Sequence, residues 1–323
     1  MSETDSIVVT GIGLCTPLGP DPVEAINAGE SAVMEQDDLR GLPHTTAAVV
    51  GRVDLRPWLK RRKDQKLMAR PARLALSAAG TALSHWSGEA DGLGLYVGVG
   101  REPGDGGESI PALVAAQVGG VLDETAVAGP CRDLYPPLLP LKTLPNMALA
   151  HISIHLDVRG ENGVWCGGAA AGLTALRAGV WSVREGRCPA ALVVAADTWV
   201  CAGSVRDLLR VSGGEAIESP GEAGVALLIE SRSSAMARGA VILAEVGTHR
   251  PPEVEVSPMD HHRTLGDCKA ADGLLAVALH ICERRGSVWV EGQDLGQPAV
   301  GALVGVDAGF ACYSPGLGGQ VIG

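Results

Sequence analysis

The chain has 323 residues, 46% of them apolar, with 44 Gly, 20 Pro, only three Tyr and one Phe, and a formal charge of −11. Apolar content this high excludes disorder, the glycines show no three-residue period, and the acidic balance excludes a general nucleic-acid binder, because phosphate neutralisation needs clustered Lys and Arg. The length exceeds a usual single core of about 150 residues, so two domains or one large α/β unit with a duplicated core is expected, filled by Ala, Val, Leu and Ile.

Glu3 and Asp5 stand where a signal peptide carries positive charge, which predicts a cytoplasmic protein. Ile7–Gly19 (IVVTGIGLCTPLG) reads as a β-branched strand and a glycine turn, with a helix from Asp21 through Ala28. Gly11 and Gly13 are followed by Thr16 where a dinucleotide fingerprint needs its third glycine, so no nucleotide cofactor is expected. The stretch from Arg56 to Arg70 holds Arg56, Lys60, Arg61, Arg62, Lys63, Lys66 and Arg70 against Asp64 alone, a local charge of +6 in an acidic chain. It reads either as a docking site for an acidic protein or as the solvated face of an amphipathic helix.

Ala72–Ser84 has small and apolar residues at helical spacing, and Leu93–Gly98 returns to strand chemistry. Residues 101–111 form a polar loop, and five prolines within Gly129–Pro145 mark a surface connection. Asn162–Gly172 reads as a strand entering a Gly/Ala turn that feeds a helix to about Arg184, followed by the strand Ala190–Ala196, a parallel βαβ unit. Further strands are expected at Gly221–Glu230, Ala240–Val246, Ser287–Val290, Ala302–Val306 and Phe310–Tyr313, with a helix over Ala270–Arg285. The apolar runs meet Asp197 and Asp307 well short of the roughly 20 residues that span a bilayer, so no membrane segment is expected. Cys15, Cys131, Cys166, Cys188, Cys201, Cys268, Cys282 and Cys312 form no CxxC pair and have no His at ligand spacing, which predicts buried reduced thiols rather than zinc or disulfides.

Together these pieces resemble the ketosynthase (β-ketoacyl-acyl carrier protein synthase) branch of the thiolase fold. Ile7–Gly19 is similar to the family's opening strand, and Trp58–Leu83 to the segment leading into its first core helix. Pro145-Asn-Met147 with His151-Ile-Ser-Ile154 resembles its PNM…ISI element, Gly221–Glu230 its GEAxxxLxLE strand, and Tyr313–Gln320 its closing NSFGFGGxN. The resemblance implies an α/β protein of five-layered αβαβα architecture with two similar βα halves, normally a dimer. Residues 1–323 then form one thiolase-like unit, with the first half over about 1–200 and a shortened second half over about 201–323.

The family's catalysis, by this resemblance, uses a Cys at the start of a buried helix, where amides and dipole favour the thiolate, and two His that stabilise oxyanions. The family's GPxxxxxxACxSG motif falls on Gly160–Gly172 and places the nucleophile at Ala169, whose methyl group cannot attack a thioester. Cys166, three residues earlier, is the weak candidate for a displaced nucleophile; otherwise it is a buried strand cysteine. The KSxxGHxxGAAG element aligns with His262–Gly273 (HRTLGDCKAADG), which puts His262 at the Lys position and Asp267 at the oxyanion His. A carboxylate there repels the charge it should stabilise. The HGTGT loop is absent, and the short segment between Gly247 and Gly266 stands where the family carries a helix, a strand and that loop. His249 does not substitute for it.

Adjacent His261 and His262 are expected to be solvated loop residues rather than metal ligands, and His151 and His155 to be structural near a subunit interface. No metal and no cofactor are expected. The resemblance thus points to a catalytically inactive pseudoenzyme that works by binding. One version is a chain length factor paired with an active ketosynthase, although Ala169 departs from the Gln usual there. A broader version is an adaptor or chaperone for another protein such as a secreted effector. The remaining alternative is an acyltransferase or other thioester-processing enzyme with a displaced nucleophile. Lys60, Arg61, Arg62 and Lys66 are the partner-binding candidates, suited to an acyl carrier protein, in a homo- or heterodimer.

Overall fold

The computed structural model describes residues 5–100, 106–211, 218–256, 261–283, 286–293 and 298–306. The expected strand at Phe310–Tyr313, the closing match at Tyr313–Gln320 and Cys312 lie outside the described residues.

The core is one curled mixed sheet of eight strands: β1 (Ile7–Cys15), β2 (Gly94–Val99), β3 (Asn162–Cys166), β4 (Ala190–Thr198), β5 (Glu222–Ser231), β6 (Ala244–Gly247), β7 (Ser287–Gly292) and β8 (Val300–Gly305). Their spatial order is β7-β8-β6-β1-β5-β4-β2-β3. β2 pairs in parallel with both β3 and β4, and the remaining pairings are antiparallel. Every residue of β1 is buried, and all of β4 but its last, which is why both read as near-continuous apolar runs rather than alternating ones.

Four helices sandwich this sheet. On one face lie α1 (Arg70–Leu83) and α2 (Met147–Leu156). On the other, α3 (Ala170–Arg184) and α4 (Asp272–Glu283) pack between β2, β4 and β5 and the curled arm of β7 and β8. The thiolase-like α/β architecture expected from the sequence is therefore present. Residues 248–256 carry neither helix nor strand beyond an isolated bridge from Val256 to Trp289.

Small residues set the layer spacing. α1 turns Ala75, Ala78, Ala79 and Ala82 onto the sheet, and a β-carbon at Gly11 would sit 2.6 Å from the Ala82 carbonyl oxygen. Gly11 and Gly13 are thus strand residues that admit a helix, not the glycine turn expected there; the turn comes later, where Thr16 bridges Gly19, whose φ of +95° suits glycine. The register of β1 against β5 shifts between Val9 and Gly11. At this bulge Thr10 donates to the buried Glu230 at 2.6 Å, and Arg238 completes the site on the same carboxylate at 2.5 Å.

α3 and α4 cross through glycines in a reciprocal way. A β-carbon at Gly172 would lie 3.0 Å from the Ala270 carbonyl oxygen, and one at Gly273 would lie 2.8 Å from that of Ala169. In each helix the glycine follows the contacted alanine by three residues, Ala169 to Gly172 and Ala270 to Gly273, and the crossing brings the two helix starts face to face.

Candidate functional site

β3 ends at Cys166, and Gly167-Gly168 turn the chain into α3. The turn is fixed by the Gly167 N–H on the Val99 carbonyl at 3.0 Å. Gly98 on β2 lets the helix come close, since a β-carbon there would sit 2.6 Å from the Gly172 nitrogen. Ala169 occupies the helix N-cap with φ −58° and ψ −22°, half-buried, and offers no side-chain cap. The position is built as a helix-terminal elbow, and its side chain is a methyl group. Cys166 is exposed on the edge strand rather than buried, and the partial burial of its thiol pushes its pKa up. It has none of the activation that a helix terminus confers.

The opposite helix start is dense with charge. Asp272, the first residue of α4, is fully buried and accepts from the Cys268 N–H at 2.9 Å. His261 Nε2 lies 3.2 Å from Asp272 Oδ1 and His262 Nε2 lies 3.2 Å from Oδ2, with the two rings edge to face at 4.9 Å. His262 Nδ1 meets Glu218. Burial disfavours the His262 cation, but Asp272 and its acidic neighbours outweigh this and hold it up at about 9. The hydrogen bond from His261 and the positive charge of the adjacent His262 hold the Asp272 carboxyl well below the usual range in spite of its burial. The two histidines converge on one carboxylate, contrary to the solvated loop expected from their adjacency. The reason is the tight turn at His261–Leu265, which folds both rings back over α4.

Asp267 accepts from the Lys269 N–H at 3.0 Å and pairs with the Lys269 ammonium, while burial and the nearby Asp272 push its carboxyl up to about 6. Asp197, at the end of β4, is wholly buried and accepts from Thr198 N at 2.8 Å, Trp199 Nε1 at 3.0 Å and Ala270 N at 3.3 Å. Burial pushes it up to about 7. Chemically, the Asp267 oxygens are engaged as acceptors of the Lys269 backbone and side chain.

Asp197 and Asp272 were missed by the sequence reading. The signals existed: an acid closing an apolar strand, and an acid at a small-residue position of the aligned KSxxGHxxGAAG element. His249 lies against Thr248 and joins neither helix start.

The basic stretch is not an amphipathic α-helix. Arg62–Leu67 is a 3₁₀ turn, and the charges divide by their partners. Arg70 turns inward onto the buried Glu222 at 2.6 Å, Arg56 pairs with Asp54, Lys60 with Asp157 at 2.6 Å and Arg61 with Asp64 at 3.1 Å. Arg62, Lys63 and Lys66 form no ion pair among the described residues, and with Gln65 and Arg73 they line an open groove of about 520 Å³. Beneath it His151 and His155 stack at 6.0 Å, both buried, and burial holds both below the usual histidine range. The Lys60 N–H donates to His155 Nδ1 at 3.3 Å, so these histidines support the basic segment.

A model of the beta-ketoacyl synthase N-terminal domain family matches residues 4–214. The chain belongs to that family. Among solved structures it is similar to the ishigamide ketosynthase/chain length factor, at 18% identity and a TM-score of 0.74 over 94% of this chain and 100% of that one. It is also similar to a chain of the complex of a type II PKS acyl-carrier protein with its ketosynthase bound to the hexaketide, at 16% identity and 0.69, covering 93% and 99% of the two chains. A beta-ketoacyl synthase from Burkholderia phymatum STM815 follows at 17% and 0.68, covering 94% and 100%. At these identities the likeness shows a shared fold. No helix of the described residues is long and apolar enough to cross a membrane.

Proposed function

We propose that this chain is a non-condensing member of the β-ketoacyl synthase family that acts by binding other proteins. The observation that carries this reading is the elbow at Ala169: a helix-terminal nucleophile position built to shape and lacking a nucleophile. Asp267 supports it, because a carboxylate cannot donate to a developing oxyanion. Cys166 does not restore the chemistry from an exposed edge strand with a raised pKa. Incubation with acyl and malonyl carrier thioesters is expected to leave the intact mass unchanged and to yield no condensation product above background. An acyl adduct on Cys166 would instead establish the displaced-nucleophile acyltransferase.

The likeness to a ketosynthase/chain length factor favours pairing with an active ketosynthase over an unrelated cargo such as a secreted effector, and affinity purification separates the two. Exposed edge strand β3 and the exposed Ile154 on neighbouring α2 suit a homo- or heterodimer contact. The Arg62–Lys63–Lys66 groove suits an acidic carrier protein. Arg62→Glu with Lys66→Glu is expected to weaken carrier binding about tenfold or more at low salt and to leave stability within about 0.5 kcal/mol, as for exposed sites. Lys60→Glu and Arg61→Glu should do less to binding, because those cations are already paired. Equal affinity of all variants, measured by calorimetry, would remove carrier docking from this face.

A further inference from the structure

We propose that His261, His262 and Asp272 form a binding site for a divalent transition-metal ion of the zinc class, a site separate from the lost condensing chemistry. One donor atom from each residue lies within 4.8 Å of the others. The two histidine-to-carboxylate separations are both 3.2 Å. A tetrahedral ion with bonds of about 2.0–2.1 Å spaces its ligands about 3.3 Å apart, and each histidine already stands at that spacing from one oxygen of the carboxylate, His261 from Oδ1 and His262 from Oδ2. Imidazole nitrogens with one carboxylate select zinc-like ions over calcium or magnesium, which prefer all-oxygen sites.

Three further features fit a ligand set better than a plain ion pair. His262 Nε2 is shielded from solvent and makes no hydrogen bond, although a carboxylate oxygen lies 3.2 Å away. Its Nε2–H therefore points beside Asp272, not at it. Glu218 holds the other nitrogen of the same ring, the outer carboxylate that orients a ligating histidine. The Cys268 N–H fixes the Asp272 carboxylate from behind. His261 and Asp272 are more than nine-tenths buried, whereas His262 keeps 18% of its side chain exposed and provides the way in. On binding, the proton on His262 Nε2 leaves to solvent and the one that His261 Nε2 donates to Asp272 shifts to Nδ1 of that ring or leaves to solvent, so both nitrogens turn a lone pair to the ion while His262 Nδ1–H continues to donate to Glu218. Three protein ligands leave a fourth position for water, and the ion clamps the His261–Leu265 turn onto the start of α4.

The test uses the full chain without an affinity tag, stripped with chelator and titrated with Co²⁺ and then Zn²⁺. The expected result is one equivalent of Co²⁺ with the visible absorption of a four-coordinate site, displaced by Zn²⁺, and a rise in melting temperature on loading. Glu218→Gln, at an exposed position, should weaken binding about tenfold, and His262→Gln by about a hundredfold or more. His249→Gln and Cys166→Ser should leave it unchanged. Circular dichroism in chelator verifies that each variant is folded, and the wild-type titration stands even where His261→Gln does not fold. Failure of the wild-type chain to bind either ion, binding indifferent to His262→Gln, or binding abolished by Cys166→Ser would overturn the site. None of these outcomes bears on acylation, so the proposed non-condensing function stands or falls separately.

Discussion

The starts of α3 and α4 meet across a reciprocal glycine crossing, yet one is chemically empty and the other crowded. At α3 the approach is Cys166-Gly-Gly-Ala169, with the thiol outside and a methyl at the tip. At α4, Asp197, Asp267, Lys269, Asp272, His261 and His262 gather in a buried network. Two helix starts of the same geometry can thus carry unrelated chemistry, because the backbone supplies the position and the side chain supplies the reaction. The α3 start has kept its shape through Gly98, Gly172 and Gly292, the last of which would bring a β-carbon to 2.5 Å from the Ala169 carbonyl oxygen. The α4 start has turned into a charge-balanced anchor.

The sharpest way to break this contrast is to neutralise the anchor. Asp272→Asn keeps the volume and removes the charge that His261 and His262 share. Breaking a buried pair by removing one partner costs about 3–5 kcal/mol, since the other charge stays buried and uncompensated. Urea unfolding should show a loss of that size, and a loss below about 1 kcal/mol would mean that the network is not an anchor. A second prediction concerns pH. Asp197 held at about 7, Asp267 at about 6 and His262 at about 9 all bind protons more tightly folded than unfolded. Their favourable contribution is complete below the unfolded pKa values and is lost as pH rises through the folded ones, so stability should fall from about pH 4 to about pH 9, the two carboxyls acting below about pH 7 and His262 above it. In chelator, the melting temperature should drop by several degrees over that range, with Asp197→Asn flattening the lower part and His262→Gln the upper. A melting temperature that rises with pH would reverse the assignment. Asp272, held low, acts with the opposite sign and only in acid, as pH falls below about 4.

Much of the α3 start was legible in the sequence. The strand, the Gly/Ala turn and the helix follow from local patterning, and the residue singled out by motif register, Ala169, is the N-cap of that helix. The α4 start was not legible to the same degree. Adjacent histidines read as a solvated pair because nothing local says that a tight turn folds both onto a residue ten and eleven positions later. Asp197 read as the end of an apolar run because its three N–H donors come partly from Ala270, far along the chain. In the basic stretch, the count of charges was visible, but their division into paired and free cations depends on Asp157 and Glu222, which the sequence does not place beside them. What escaped was in each case a long-range polar contact, whereas the elements themselves follow from local periodicity.

The remaining prediction asks whether the α3 start has lost only its sulfur. Ala169→Cys places a thiol on an N-cap whose backbone any L-residue adopts, at the end of a 15-residue helix whose dipole favours a thiolate. In a Cys166→Ser background, the new thiol should be alkylated about tenfold faster at pH 7 than Cys166 in the wild-type chain, as helix-terminal thiols have depressed pKa values and Cys166 a raised one. Intact-mass kinetics with iodoacetamide reads this directly. On the proposed reading of Asp267 as standing at the oxyanion position, the variant should accept an acyl group from a carrier thioester yet fail to decarboxylate malonyl carrier, because a carboxylate presents acceptors where that reaction needs a donor. A thiol no more reactive than Cys166 would mean that the elbow has lost its electropositive character as well, and that the charge gathered at α4 reaches across the crossing to cancel the helix dipole of α3.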